Sequence, residues 1–592
     1  VDNVTTATAM NADYYRTLES DDAPQLTGNP SLTIKKYVNG SNEAIEGVVF
    51  KYAKVGDLYQ LTLNDGTTLM AYGVTEAFAE AASFKNSADY KKTDNGITTY
   101  FFKDGSTITN AMAGTTATTF ENFLTEDDGN GKKDNTANGV KSGTTGPDGS
   151  ITAVLDTTNA YGLYLVVEYD VTGAKVNDKP ISITKTQAPF VVALPTSDGQ
   201  YWDETVEANV KNSTGTADVE KKIVVGSNEA QNDGNEEVAD TDTTSIGDTV
   251  HFRLKGDIIT IPSDGKDIVS FVLTDQISKG LTPVTGDNTG EVKIDAVRIV
   301  GDNAITTLEA NEYEVSALTP ITSTDAFNGG KKFTISVIGY GLDKLTEVAK
   351  NTEVTEKAIY FYYSAEVNEN AVIGPNADGV AANSGNPNQV MLKYKVDGNS
   401  EMETSWDTVT EFTFGIDVTK QLDGGTIDDD NKTNIQFIVY SGTQGNEKYY
   451  SFIGSDGVYH TPSNVSGEND ATRLSPNASG QILIKGLDEG TYKLKEVATV
   501  NGYNLLKEPV EFTITAIKGS NAFVGSINQY LGTIQNDTDD DGYAEATVIN
   551  TKGFTLPSTG GAGIWMFVIG GVLVIGAGCA YFMMTKRRKE GR

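Results

Sequence analysis

The sequence predicts an all-β protein of three tandem sandwich domains followed by a C-terminal transmembrane helix. Three observations predict it. Between Leu32 and Thr551, short runs rich in Val, Ile, Thr, Tyr and Phe alternate with clusters of Gly, Asn and Asp, the pattern of short strands and turns rather than of long helices. The chain has 592 residues, more than one hydrophobic core holds, so several domains are expected. A charge-free apolar run from Ile564 to Met584 precedes the basic end "KRRKEGR". That run is long enough to cross a hydrocarbon core of about 30 Å as a helix, with the basic end in the cytoplasm and the rest of the chain outside the cell.

Composition narrows the function. With 46 basic and 81 acidic residues the net charge is -35, which opposes binding to nucleic acid and to anionic lipid. The one cysteine, Cys579, lies in the apolar run, so no disulfide staples the extracellular part. The two histidines, His251 and His460, belong to no metal-site or triad motif. Neither a cofactor nor a metal is expected. The nearest approach to a metal motif is "DTDDDG", where Asp537, Asp539 and Asp541 match the start of a calcium loop. Val548 stands where that loop needs its bidentate glutamate, so an acidic turn is the simpler reading. The chain opens on Val1 without a secretory signal, which reads as a processed or trimmed start.

Taken in chain order, residues 1–28 show no strand periodicity and are read as a flexible segment. A lysine-bearing strand then opens each domain: "LTIKKYV", "DVEKKIVV" and "GIDVTKQL". The domains are assigned to 29–212, 213–409 and 410–552, followed by a signal at 553–560, the membrane segment 561–585 and the tail 586–592. The first and third domains share detail: "AIEGVVFKY" parallels "NIQFIVY", and "YLVVE" parallels "YKLKE". Long amphipathic helices are not evident, and short helices fit insertions such as "TEAFAEAASF".

Strand parity then places polar residues on apolar faces, because successive side chains alternate sides. In the third domain Lys420 shares a face with Ile416, Val418 and Leu422, Glu496 with Tyr492 and Leu494, and Asn550 with Ala546 and Val548. A buried ammonium costs several kcal/mol unless compensated. An intramolecular isopeptide bond accounts for all three residues. A dry site favours the uncharged forms of a lysine and a carboxylic acid, so a neutral Lys420 amine attacks the Asn550 carboxamide while Glu496 shuttles protons and ammonia leaves.

In the middle domain Lys221 aligns with Val219, Ile223 and Val225, Asp275 with Phe271, Leu273 and Ile277, and Asn388 with Val390, Leu392 and Tyr394. Lys222 is the rival to Lys221, set aside on parity. In the first domain Lys36 aligns with Leu32 and Ile34. Glu168 follows Tyr164 by the spacing at which Glu496 follows Tyr492. No asparagine partner is clear there, although Asn212 has the right parity with Val206, Ala208 and Val210.

Several of these stretches resemble known motifs. "LPSTG", the apolar run and the basic tail resemble the sorting signal of Gram-positive surface proteins. The resemblance implies that a sortase recognises Leu556, Pro557, Ser558, Thr559 and Gly560 and cleaves between Thr559 and Gly560. "YKLKEVATVNGY" resembles the E-box of CnaB-type domains in Gram-positive pilins, whose sandwiches are Ig-like. "FVLTDQISKGLTP" and "NPNQVMLKY" resemble the aspartate and asparagine strands of fimbrial middle domains. The resemblance implies the pairs Lys420 to Asn550 with Glu496, and Lys221 to Asn388 with Asp275. "WDETVEANVKN" resembles the pilin motif of shaft subunits, with Trp202, Val206, Lys211 and Asn212 in place and Asn209-Val210 departing from the usual Tyr-Pro.

What the resemblance implies is a structural polymer rather than an enzyme. Sortase would join Lys211 of one subunit to Thr559 of the next, first as a membrane-anchored precursor and finally as a pilus attached to the cell wall. The implied partners are pilin-specific and housekeeping sortases, other copies of the chain, minor pilins and peptidoglycan, with host or extracellular-matrix ligands left open. A monomeric wall-anchored adhesin or minor pilin is the alternative.

Overall fold

A nearly unbroken apolar run, "GLYLVVEY", builds the centre of the N-terminal sheet, since a strand covered on both faces loses the usual polar alternation. In this computed structural model, which describes residues 2–17, 26–197, 201–226, 232–374, 385–516, 532–534, 541–554 and 562–589, the chain is strand-rich and forms two compact units. One comprises Val1–Asp240, Val250–Ala365 and Pro387–Val409; the other comprises Thr241–Thr249, Glu366–Asn386 and Thr410–Arg592. Two stretches of the expected middle domain therefore belong with the C-terminal unit.

The strands that carry the argument in the first unit are β1 (Thr6–Ala9), β2 (Ser31–Val38), β3 (Val49–Thr62), β4 (Gly162–Asp170), β5 (Ser182–Lys185) and β6 (Thr205–Gly215). β4 pairs with β3 in a nine-stranded sheet, and a four-stranded sheet runs in the order Ser150–Thr152, β2, β6, β5. Between the sheets pack Leu32, Ile34, Phe50, Tyr164, Val166, Ile183, Val206, Ala208 and Val210. The other face of β4, Leu163, Leu165 and Val167, packs against Phe78, Phe120, Phe123 and Leu124 of an inserted helical layer. The expected short helix in that insertion is Glu76–Ala81, N-capped by Thr75, which accepts from Phe78 N. β6 runs on to Gly215, past the boundary expected at 212.

Residues 2–17 and 26–28, the described part of the segment expected to be flexible, form strand pairs and buried contacts. Asp2–Asn3 pairs with Tyr90–Lys91, β1 pairs antiparallel with the end of β3, and α1 (Ala12–Thr17) follows. Met10, Tyr15 and Leu26 are buried with Tyr161, and Trp202 packs on the same cluster. The Glu204 carboxylate accepts from Thr27 N at 2.6 Å, Thr27 Oγ1 at 2.5 Å, Gly28 N at 3.2 Å and Tyr161 OH at 2.7 Å. The segment lacks a periodicity of its own because an existing sheet edge, rather than an amphipathic pattern, organises it.

Further strands of the first unit are β7 (Val219–Val224), β8 (Thr249–Asp257), β9 (Ile268–Ile277), β10 (Lys357–Val367) and β11 (Asn386–Val396). β7 and β8 pair in one sheet with β10 beyond them, whereas β9 and β11 pair in another. Phe252, Phe271, Leu273, Phe333, Ile359 and Leu392 are buried there.

The C-terminal unit holds one nine-stranded sheet containing β12 (Phe414–Leu422), β13 (Gln436–Ser441), β14 (Gln481–Leu487), β15 (Gly490–Ala498) and β16 (Tyr543–Asn550). β12 pairs antiparallel with β14 and parallel with β16. Its core includes Ile416, Val418, Phe437, Ile484, Leu494, Phe512 and Val548. The expected membrane segment is the helix α2 (Ala562–Lys589), of which Val568–Lys586 is long and apolar enough to cross a bilayer.

Candidate functional site

Alternation along β2 points Leu32, Ile34 and Lys36 inward, and alternation along β6 does the same for Val206, Ala208, Val210 and Asn212. Lys36 is 0 % exposed and Asn212 1 %. Parallel pairing sets Lys36 opposite Val210 and Val38 opposite Asn212. From the facing sheet Glu168 enters between them: its Oε1 lies 3.0 Å from Lys36 Nζ, and Asn212 Nδ2 donates to both carboxylate oxygens at 2.9 and 3.0 Å. Asn212 Nδ2 also donates to Lys185 O at 2.9 Å, and Glu168 Oε2 accepts from Gln187 N at 2.7 Å. Burial lowers the affinity of the Lys36 amine for its proton, and the Glu168 charge opposes that shift.

The C-terminal unit repeats this plan. Lys420 lies opposite Val548, and Leu422 opposite Asn550, across the parallel pair of β12 and β16. Asn550 Nδ2 donates to Glu496 Oε2 at 2.8 Å and to Asn504 O at 2.6 Å, while Glu496 Oε2 also accepts from Leu506 N at 2.8 Å. Lys420 Nζ stands 4.0 Å from Glu496 Oε1 and donates to Gln421 O at 2.8 Å. Burial brings the Lys420 amine down to about 8, with Glu496 opposing. The tyrosine four positions before each glutamate is also shared: Tyr164 OH donates to Ala160 O at 2.7 Å and Tyr492 OH to Asp488 O at 2.9 Å.

The middle set is built across two sheets. Lys221 comes from β7, Asp275 from β9 and Asn388 from β11, and all three are fully buried. Lys221 Nζ donates to Asp275 Oδ2, and Tyr363, on β10, links the group. Its hydroxyl donates to Asp275 Oδ1 at 3.0 Å, lies 3.1 Å from Lys221 Nζ, and accepts from Asn388 Nδ2 at 2.7 Å. The Lys221 amine also sits over the Tyr363 and Phe252 rings, 4.9 and 5.2 Å from their centroids. Burial lowers Lys221 and raises Asp275 and Tyr363; the Lys221–Asp275 pairing opposes the first two shifts. Lys222 points the other way, 2.5 Å from Asp240 Oδ1.

Tyr363 was missed by sequence reasoning. Its signal was its parity with Phe361 and Ala365 in "YFYYSAE", which places a hydroxyl on a core-facing row. In the first domain the asparagine that contacts Glu168 is Asn212.

Lys211 lies on the outer face of β6, exposed with Thr205, Glu207 and Asn209. Trp202 packs edge-on against Tyr15, with ring centroids 5.0 Å apart. Leu556, Pro557, Ser558, Thr559 and Gly560 lie outside the described residues, as do Asp537 and Asp539. Asp541 accepts from Tyr543 N at 2.9 Å.

Residues 420–525 match the family model of the SpaA prealbumin-like fold domain. No curated protein matches the sequence. Among solved structures the chain is similar to the full-length major pilin SpaD from Corynebacterium diphtheriae, at 16% identity over 89% of this chain and 98% of that one, with a TM-score of 0.42. It is similar also to the RrgB pilus protein from Streptococcus pneumoniae, at 14% identity over 90% and 99% with a TM-score of 0.43. A third is BcpA, the major pilin subunit of Bacillus cereus, at 16% identity over 88% and 99% with a TM-score of 0.37. The chain is strand-rich, its residues 420–525 match a prealbumin-like fold domain, and the solved structures to which it is similar include major pilins.

Proposed function

We propose that the chain is the shaft subunit of a covalently polymerised pilus on a Gram-positive cell surface. The observation that carries this reading is the contrast among its lysines: Lys36, Lys221 and Lys420 are each buried beside an acid and an asparagine, whereas Lys211, one residue from Asn212, is exposed.

Each buried set is suited to forming one amide. The uncharged lysine amine attacks the asparagine Cγ, the acid passes the amine proton to the departing nitrogen, and ammonia leaves as the Nζ–Cγ bond forms. Glu168, Asp275 and Glu496 are the proton carriers, each in contact with the lysine, the carboxamide or both. A buried charge is thereby exchanged for a neutral crosslink. On the chain-entropy model, closing loops of this length stabilises each domain by roughly 5 kcal/mol. That suits an extracellular chain in which Cys579 is the sole cysteine.

Between subunits, sortase would cleave after Thr559 and transfer the threonine carbonyl to the Lys211 amine of another copy. This head-to-tail link does not close on itself and so grows a fibre. The deciding experiment is a gel of cell-wall extract. A high-molecular-weight ladder abolished by Lys211→Ala supports the shaft, and a single band indifferent to that change returns the protein to a monomeric anchored adhesin or minor pilin.

A further inference from the structure

β5 is the edge strand of the four-stranded sheet, so one side of its backbone would be open. On that side a side chain pairs with both backbone groups of Ile183. Asn399, 2 % exposed, accepts from Ile183 N at 2.7 Å through Oδ1 and donates to Ile183 O at 2.9 Å through Nδ2. Its carboxamide thus occupies the place that a neighbouring strand's peptide group would take. A third bond, from Nδ2 to Asp397 O at 3.2 Å, fixes the amide orientation. Around it Lys266 N donates to Thr184 O at 2.8 Å, Ser400 Oγ to Thr172 O at 2.6 Å, and Lys185 pairs with Asp264 at 2.5 Å.

The strand held in this way carries the Lys185 carbonyl that receives Asn212 Nδ2. It also leads directly to Gln187, whose N–H holds Glu168. β5 pairs with β6 at Ser213 and Thr214, immediately after Asn212. Two partners of the Lys36–Glu168–Asn212 set therefore lie within four residues of the Asn399 clasp.

We propose that Asn399 is a positioning residue for the Lys36–Asn212 crosslink: pairing with the outer edge of β5, it holds the backbone groups that orient the Asn212 carboxamide and the Glu168 carboxylate. This rests on the crosslinking reading above.

The test follows ammonia loss from each domain, by peptide mass, in ectodomain refolded from chains whose Asn212 and Asn388 carboxamides are still intact. Asn399→Ala is expected to slow bond formation at Lys36–Asn212 by about tenfold while Lys221–Asn388 forms at the wild-type rate. Asn399→Asp, which keeps the acceptor for Ile183 N–H and loses the donor, should fall between the two. Equal first-domain rates in the wild type and Asn399→Ala would overturn the proposal, as would an equal slowing of both bonds, which marks a general folding defect.

Should the wild type lose no ammonia at Lys36–Asn212, the crosslinking reading fails there and amide exchange decides the positioning role. Exchange at Asn212 to Thr214 about tenfold faster in Asn399→Ala, with β9 unchanged, supports it; unchanged exchange refutes it.

Discussion

Asn212 stands two positions beyond the residue that faces Lys36 across the parallel pair of β2 and β6, and Asn550 holds the same offset from Lys420 across β12 and β16. Parallel register thus places amine and carboxamide on one inward face with the same stagger in both sandwiches. In each, a glutamate on another strand contacts the asparagine amide at 2.8 to 3.0 Å.

The first domain should therefore crosslink as the third does. Intact mass is expected to fall short by three molecules of ammonia, one per set, and Glu168→Ala should restore one of them. That variant leaves Lys36 buried without its counter-charge, a loss of about 3 to 5 kcal/mol, so its thermal transition should drop as well. Asn212→Ala supplies the control, because it removes the electrophile and keeps the ion pair.

Tyr363 joins amine, acid and carboxamide in the middle set through one hydroxyl. Tyr363→Phe keeps the ring packing against Phe252 and Phe333 and removes only that link. Bond formation between Lys221 and Asn388 is expected to slow by about a hundredfold, the scale of losing one proton-transfer partner. A time course of peptide mass that matches the wild type would reject this role.

Lys420, its amine brought down to about 8 by burial, should react faster as the pH rises. The nucleophilic fraction grows until the pH passes that value and then levels. Refolding the third domain with Asn550 intact, and sampling ammonia loss between about pH 6 and about pH 9, should trace that curve; a flat profile counts against the amine as the titrating group.

Glu411 gives a second, independent pH dependence in the C-terminal unit. Its side chain is buried, neither carboxylate oxygen has a hydrogen-bond partner, and it pairs in register with Asp242. Burial, then the charges of Asp242, Asp488 and Asp248, raise it well above the ordinary glutamate range. The folded state therefore binds this proton more tightly than the unfolded state does. The stabilisation is complete below the unfolded value of about 4.3 and declines as the pH rises towards the folded value. Denaturation of the ectodomain should show this unit weakening with rising pH, and Glu411→Gln should flatten the trend and raise stability on the alkaline side. An unchanged slope in Glu411→Gln would assign the trend to other groups.

What the sequence determined by itself was local. Strand alternation is a property of neighbouring residues, so the inward facing of Lys36, Lys221 and Lys420 and the outward facing of Lys211 were legible without any partner strand. The same holds for the apolar span, whose helix needs only its own backbone hydrogen bonds. Tertiary structure decided what depends on register between distant segments. It brought Asn212 to Glu168 and Tyr363 between Lys221 and Asn388, and it set Asn399 on the edge of β5. It also paired Asp2–Asn3 with Tyr90–Lys91 and β1 with the end of β3, and it packed Met10, Tyr15 and Leu26 with Tyr161. Pairing over such separations is fixed by how whole sheets stack, and periodicity within one strand carries no record of it.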